Sequence, residues 1–442
     1  MLMNIPRVFV FLFSLMAIGS GANAQLFKDG KLPLNADGTQ YLKFGFGNQI
    51  WVRHTEMNPG STINGYAKSS YSDIGIRRVR INFSGQLTDR VFFYTMIGEN
   101  NFNFLSDRKL GLCVLDAVGE YAAIKTKLSF GAGLTGWGGL SRFSSPATAS
   151  FNGIDAPLYQ QATVDMNDQL LRKLSVYAKG KLGDLDYRVA MNHPLAVHKA
   201  SGYNANIGKY SSYSAEPAQM QWSGYFQWQM LDKESNVTPY TVGNYIGEKN
   251  VFNVGAGFLH QQDAMWRVAA EGNDTIRSSM NHIAVDVFLD KVLNRSKKTS
   301  FNAYAAWIRY DFGDGYIRNF ATMNPANGGT QKDLINGHGN GFPAVGTGNV
   351  FYVQVAYKFA ENLIGKTTLM PYASIQHADY DRLNDRMNYI DAGINWLLKG
   401  NTSKLTLALQ NRPLFYVDAL TGQGTRQGTR NSMVLQYSIS FP

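Results

Sequence analysis

The sequence Lys-Leu-Ser-Val-Tyr-Ala-Lys-Gly-Lys-Leu at residues 173–182 alternates between polar and apolar side chains. Leu174 and Val176 are at even-numbered positions, and Lys173 and Ser175 are at odd-numbered positions. A β-strand directs successive side chains to opposite faces, so the pattern predicts a strand with one apolar and one polar face. Such a strand suits a wall that separates hydrocarbon from water.

Similar segments recur along the chain, joined alternately by short turns and long polar loops. This arrangement is typical of outer-membrane barrels, whose short turns lie on the periplasmic rim and whose long loops lie outside. We therefore predict an all-β, transmembrane, antiparallel up-and-down barrel of about 16 strands, with 14 or 18 as alternatives. The predicted strands are 41–53, 74–88, 91–100, 112–125, 127–135, 172–182, 185–193, 220–231, 250–260, 280–290, 300–312, 350–359, 367–377, 387–398, 403–412 and 431–441.

Two features fit this scheme poorly. The connection 232–249 lies on the predicted inner rim but is too long for a turn. Pro371 lies inside a predicted strand, where the missing amide proton indicates a bulge or an error of register. The predicted long loops are 54–73, 101–111, 136–171, 194–219, 261–279, 313–349, 378–386 and 413–430.

The N-terminus has the pattern of an export signal. Arg7 precedes the apolar run 8–18, and Ala22-Asn23-Ala24 forms an Ala-x-Ala cleavage site. We predict a cleaved signal peptide at 1–24, a periplasmic extension at 25–40 and a barrel at 41–442. The apolar run is too short for a membrane anchor, and the mean hydropathy of −0.23 argues against a helical membrane protein.

Composition limits the function classes further. The chain has 44 Gly, 26 Phe, 24 Tyr and one Cys, so no disulfide framework is available within it. The formal net charge is +10, but the basic residues are scattered and the protein is predicted to be exported, which argues against nucleic-acid binding. The expected partners are small anionic or polar solutes, outer-membrane lipid and lipopolysaccharide.

Catalysis has little support in the sequence. The histidines lack metal-binding spacing and no Gly-x-Ser-x-Gly motif occurs, so we predict neither an enzyme nor a cofactor. The acidic stretch Asp379, Asp381, Asn384 and Asp385 could hold Ca²⁺, but it lacks the order of an EF-hand. Solvated loop charge is the favoured interpretation of this stretch.

Charges on the polar strand faces are predicted to line a water-filled lumen. Basic residues outnumber acidic ones there, and a cationic lumen favours anions. Charges paired across strands remain the alternative interpretation. The long loop 136–171 is predicted to fold inward as a constriction, with Arg142 as the cation at its narrowest point. The basic candidates are Arg53, Arg78, Arg80, Lys173, Lys179, Lys181, Arg188, Arg309, Lys358, Lys404 and Arg412. The acidic candidates are Glu99, Asp116, Glu120, Asp186, Asp286 and Asp391.

Two short stretches resemble a known family. Residues 76–85, Ile-Arg-Arg-Val-Arg-Ile-Asn-Phe-Ser-Gly, and residues 116–118, Asp-Ala-Val, resemble the early strands of the phosphate-selective porin O and P family. The resemblance is specific only over about residues 74–135. It implies a sixteen-stranded, usually trimeric barrel with inward-folded loops and an arginine-lined anion path, and it carries over Arg78 and Arg80 as lumen arginines.

Residues 435–441 alternate and end near an aromatic side chain, as in terminal strands read by the outer-membrane assembly machinery. Two functions stay open at this point. The first is a passive diffusion pore that prefers anions, such as phosphate. The second is a plugged barrel that serves as a structural or accessory part of a surface complex.

Overall fold

Sixteen antiparallel strands form a closed β-barrel in the computed structural model, which describes residues 30–107, 111–197, 207–269 and 274–441. The ring closes where the last strand pairs with the first, with Phe441 opposite Phe46. The predicted fold class and strand number are confirmed. The strands are β1 Tyr41–Glu56, β2 Ser70–Gln86, β3 Val91–Phe102, β4 Cys113–Ile124, β5 Leu128–Thr135, β6 Lys173–Leu182, β7 Leu185–His193, β8 Gln221–Gln229, β9 Val251–Val268, β10 Thr275–Asn294, β11 Thr299–Asp311, β12 Gly348–Lys358, β13 Thr368–Tyr380, β14 Met387–Lys399, β15 Ser403–Val417 and β16 Gly424–Phe441.

Shorter elements decorate the barrel. Lys31–Pro33 pairs with the start of β1, and Ser212–Tyr213 pairs with the end of β9. Two small antiparallel pairs lie outside the main sheet, Thr62–Ile63 with Tyr66–Ala67 and Ile317–Phe320 with Phe342–Gly346. Three single turns of 3₁₀-helix lie between β5 and β6, at Arg142–Ser144, Thr148–Ser150 and Leu158–Gln160.

The two faces of the wall differ as the alternation predicts. In β6, Leu174 and Val176 point outward and are 50% and 54% exposed, whereas Lys173 and Ser175 point inward and are 3% and 6% exposed. The outward face is therefore apolar and the inward face polar in this strand, as a barrel in lipid requires. The described parts of the chain contain no helix with the length and apolar character needed to cross a membrane.

Most short connections lie on one rim, which we call the inner rim, and most long ones lie on the other; residues 230–250 are the exception, a long connection on the inner rim. The tight turns predicted at 88–90, 126–127 and 183–184 are present. Two predicted outer loops are shorter than expected, because β9 continues to Val268 and β10 begins at Thr275, while β15 continues to Val417 and β16 begins at Gly424. At these outer ends the sequence no longer alternates, although the backbone pairing continues, so a pattern of period two could not predict them.

Pro371 produces no bulge. It pairs with Ile394 of β14 in regular register, and it lies one residue beyond Tyr372, the last residue of β13 that pairs with β12. The backbone hydrogen bonds between β12 and β13 therefore do not need an amide proton at Pro371. Within the predicted extension 25–40 the structure describes residues 30–40, and the predicted signal peptide 1–24 lies outside the described residues.

Candidate pore and its lining

A long loop between β5 and β6, residues 136–172, lies inside the barrel; we call it the lumen loop. It reaches the opposite wall, where the Tyr310 hydroxyl donates to the carbonyl of Tyr159 over 2.6 Å. Asn395 of β14 donates to the carbonyl of Asn152 over 2.7 Å. The loop therefore lies against the inward faces of β11 and β14.

A second segment also folds into the barrel, from the inner rim. Residues 230–250, the inner segment, pair with the lumen loop through backbone hydrogen bonds of 2.8 Å between Thr241 and both Ser145 and Ala147. The side chain of Asn244 donates to the carbonyl of Ser150 over 2.7 Å. The connection that was too long for a turn is therefore a lumen element.

A buried ion pair joins the two segments. The Arg142 guanidinium donates to both carboxylate oxygens of Glu234, over 2.7 and 2.6 Å, and lies 3.5 Å from the centroid of the Phe288 ring. Burial pushes the pKa of Glu234 upward, but Arg142 and the hydroxyl of Tyr245 outweigh it and hold the pKa below its ordinary value. Arg142 was predicted as the cation at the narrowest point of the loop, but its side chain is fully buried and paired with Glu234, so it presents no free charge to the lumen. Its charge is used to fasten the lumen loop.

A bulge brings three arginines of one strand into the lumen. Gln49 of β1 pairs with Arg78, whereas the next residue, Ile50, pairs with Ile76, so Arg77 is the extra residue. Arg77, Arg78 and Arg80 are therefore all buried on the inward side. The sequence analysis missed Arg77. The signal was the shift of apolar residues from even positions, 74 and 76, to odd positions, 79, 81 and 83.

Asp155 of the lumen loop binds two of these arginines. Arg77 donates to one carboxylate oxygen over 2.9 and 2.7 Å, and Arg78 donates to the other. Burial raises the pKa of Asp155, but the two guanidinium groups more than reverse this and leave the pKa below its ordinary value. Asp155 therefore remains ionised and fixes the loop against the wall.

Arg172, at the end of the lumen loop, forms a network with the inner segment. Its guanidinium donates to Asp116 of β4 over 3.2 Å and to the hydroxyl of Tyr240 over 2.7 Å. The Tyr240 hydroxyl in turn donates to Asp116 over 2.5 Å. Strand β4, the end of the lumen loop and the inner segment therefore meet at the hydroxyl of Tyr240.

These groups surround a cavity of about 580 Å³, which we call the outer cavity. Arg80 donates to the carbonyls of Val79 and Glu99, and Arg318 donates to the carbonyls of Ala162 and Val164. Neither is paired directly with a carboxylate in a salt bridge among the described residues. Five arginines line the cavity: Arg77, Arg78, Arg80, Arg172 and Arg318.

A second cavity of about 340 Å³, the inner cavity, lies towards the inner rim. It is lined by Arg188, Glu234 and Lys249, together with two residues that also line the outer cavity, Ala147 and Tyr240. Arg188 donates to the carbonyl of Pro239 in the inner segment over 3.0 Å. The predicted inward position of Arg188 is therefore observed.

The predicted lysines point inward but hold protein segments in place. Lys173 donates to Thr163 over 2.7 Å, and Lys179 forms an ion pair with Glu120 at 2.9 Å. Lys181 donates to the carbonyl of Glu234. Lys358, at the inner rim, donates to the carbonyl of Lys298 over 2.7 Å.

The remaining candidates have similar roles. Arg53 forms an ion pair with Asp73 at 2.6 Å, Lys404 donates to the carbonyl of Phe151, and Arg412 donates to Ser432. Among the acidic candidates, Asp186, Asp286 and Asp391 are buried on the inward face.

Two predicted lumen residues face outward instead. In β11 the buried inward positions are Tyr304, Ile308 and Tyr310, which leaves Arg309 on the outward face. Arg309 was assigned to the inward face because it is polar, but the inward side chains of this strand include aromatic ones that pack against the lumen loop. Glu99 lies opposite Val79 on the outward face of β3, since directly paired residues share a face.

The acidic stretch near residue 380 has no metal-binding geometry. Asn384 bonds to the side chain of Thr425, and a carboxylate oxygen of Asp385 accepts from the amide of Arg426. In the described residues no group of three or more histidine, cysteine, aspartate or glutamate side chains is placed to hold a metal ion.

The barrel is similar to solved structures of bacterial porins. Pseudomonas putida OprB superimposes with a TM-score of 0.52 and 10% identity, over 90% of this chain and 94% of that one. The chain has a porin fold. Salmonella typhi OmpF aligns at a TM-score of 0.48 and 11% identity, over 92% and 99% of the two chains. An anion-selective porin from Comamonas acidovorans aligns at 0.45 and 9% identity, over 91% and 100%.

No protein-family model and no curated protein matches the chain. At these identities the structural likeness concerns the porin fold alone. The resemblance to the phosphate-selective porin O and P family therefore stays a prediction from residues 74–135.

Proposed function

We propose that the chain is a channel of the bacterial outer membrane through which small hydrophilic solutes diffuse passively, with a preference for anions. The observation that carries the proposal is the outer cavity, where five arginines are opposed by fewer carboxylates. The acidic groups that line the cavity or touch its arginines are Asp116, Asp155 and Asp165. Charges in a confined aqueous passage act at reduced dielectric and concentrate ions of opposite sign.

Export through a cleaved signal peptide, insertion by the barrel assembly machinery and a homotrimeric state belong to the same proposal. Contact with lipid and lipopolysaccharide follows from the apolar outward face. Phosphate is the anion that the resemblance of residues 76–85 indicates, so added phosphate should reduce a chloride current through the channel if it binds on the way.

The test is the reversal potential of the purified protein in a planar bilayer under a potassium chloride gradient. We expect the reversal potential to lie closer to the equilibrium potential of chloride than to that of potassium. Arg80→Gln and Arg318→Gln should each lower the anion-to-cation permeability ratio, by about twofold. Arg309→Gln is the matched control, because Arg309 faces outward, and it should leave the ratio unchanged. Cation selectivity of the wild type would contradict the anion preference.

A plugged accessory barrel is the second candidate, and one observation favours it. The two lumen elements are joined by the buried pair of Arg142 and Glu234, so they form a single internal body. The same bilayer experiment separates the candidates, since a plugged barrel should insert without conducting ions.

A further inference from the structure

The outer and inner cavities meet at two residues. Ala147 of the lumen loop and Tyr240 of the inner segment line both. Ala147 presents only a methyl group, whereas Tyr240 presents a phenol ring. The side chain of Tyr240 is therefore the larger obstacle where one cavity gives way to the other.

Together the two cavities reach from the long outer connection to the inner rim. The outer cavity is lined by Arg80 in the middle of β2 and by Arg318 from the long connection on the outer rim. The inner cavity is lined by Arg188, near the inner end of β7, and by Lys249, two residues before β9 begins at the inner rim. A solute that crosses the barrel by this route passes Tyr240 between the arginines of the outer cavity and Arg188 of the inner cavity.

Tyr240 is held in place from several sides. Its hydroxyl donates to Asp116 and accepts from Arg172, and its ring centroid lies 6.1 Å from that of Tyr94. The backbone beside it is paired with the lumen loop through Thr241. Because hydrogen bonds and packing fix the ring, its position is a constant feature of the passage and not one rotamer among many.

We propose that Tyr240 sets the size limit of the passage, so that the inner segment supplies a constriction between the outer and inner cavities. This inference rests on the proposed channel function. The arginines of the outer cavity select by charge, and the ring of Tyr240 selects by width. Small hydrophilic anions pass beside the ring, whereas bulkier anions that enter the outer cavity are stopped there.

Single-channel conductance of Tyr240 variants tests this assignment. Tyr240→Ala removes the ring and should raise conductance by about twofold, and it should admit larger polyethylene glycols into the pore. Tyr240→Trp enlarges the side chain and should lower conductance. Tyr240→Phe keeps the ring and loses only the hydroxyl, so its conductance should stay close to that of the wild type.

Tyr187→Ala is the matched control. Tyr187 lies on the outward face of β7, and its hydroxyl donates to the carbonyl of Lys127 over 2.8 Å. This control loses the same atoms away from the cavities and should conduct like the wild type. Heat-modifiable migration on a gel establishes that each variant is folded before it is measured.

The outcomes separate the inference from the channel proposal. If the wild type conducts and Tyr240→Ala and Tyr240→Trp conduct equally, Tyr240 does not set the size limit, while the channel proposal stands. An equal rise in Tyr240→Phe and Tyr240→Ala would also overturn it, because hydrogen bonds and not width would then control the current. Conductance that appears only in Tyr240→Ala would support the inference and contradict an open wild-type channel.

Discussion

Asp155 is the carboxylate that offsets the charge of two arginines near the outer cavity. It binds Arg77 and Arg78 together, so it offsets part of the positive field of the outer cavity. Asp155→Asn keeps the size of the side chain and removes its charge. We expect the anion-to-cation permeability ratio to rise by about twofold, because two guanidinium groups lose their counter-charge.

The check is the reversal potential in a salt gradient, with Asp73→Asn measured in parallel. Asp73 pairs with Arg53 and lines neither the outer nor the inner cavity, so this variant should have the smaller effect. A shift of Asp155→Asn towards cations would contradict the electrostatic interpretation of the outer cavity.

Glu234 of the inner segment holds the lumen loop through its ion pair with Arg142. Glu234→Gln leaves the guanidinium of Arg142 buried without its counter-ion, which costs about 3 kcal/mol of stability in comparable buried pairs. Denaturant unfolding of the barrel in detergent measures the loss. The control is Glu216→Gln, whose partner Arg277 is solvent-exposed, and it should lose far less. Equal losses in the two variants would show that Arg142 and Glu234 do not fasten the segments.

At the scale of elements, the inner segment should stay docked over a wide pH range. The pKa of Glu234 lies below its ordinary value of 4.5, so its pairing with Arg142 contributes fully above about pH 4.5 and is lost as the pH falls through the lower folded value. The stability difference between wild type and Glu234→Gln should therefore be constant from neutral pH to about pH 4.5 and shrink below it. A difference that disappears already near pH 6 would contradict the depressed pKa.

The strands were predictable from sequence because lipid and water impose alternation on them. All sixteen predicted strands coincide with strands of the barrel, and the largest errors lie at the outer ends, as in β15 and β16, whereas β10 also runs four residues past its predicted inner end. The inner segment was noticed only as an overlong connection. Its position depends on contacts such as that of Glu234 with Arg142, 92 residues apart, which no local pattern encodes.

The candidate pore was predictable only in part, for the same reason. Arg78 and Arg80 follow from parity, and Arg77 would have followed from the parity shift that a bulge leaves. Arg318 and Tyr240 lie outside the barrel strands, where alternation carries no information. Arg309 was assigned to the wrong face because the inward side of β11 is aromatic where it meets the lumen loop.

At the scale of the whole molecule, the barrel encloses a lumen that is partly filled by two segments folded into it. The lumen loop enters from the outer rim and the inner segment from the inner rim, and they meet beside Tyr240. In the proposed channel, the route for solutes runs between these segments and the arginines of β2, past Arg80.

The most direct test places a cysteine at Arg80 in a chain whose only native cysteine, Cys113, is replaced by serine. An anionic thiol reagent added during a bilayer recording should block current through Arg80→Cys stepwise and shift the remaining selectivity towards cations. The same reagent should leave Arg309→Cys unaffected, because that position faces outward. An Arg80→Cys channel that conducts and is unchanged by the reagent, or a block of Arg309→Cys alone, would contradict the account.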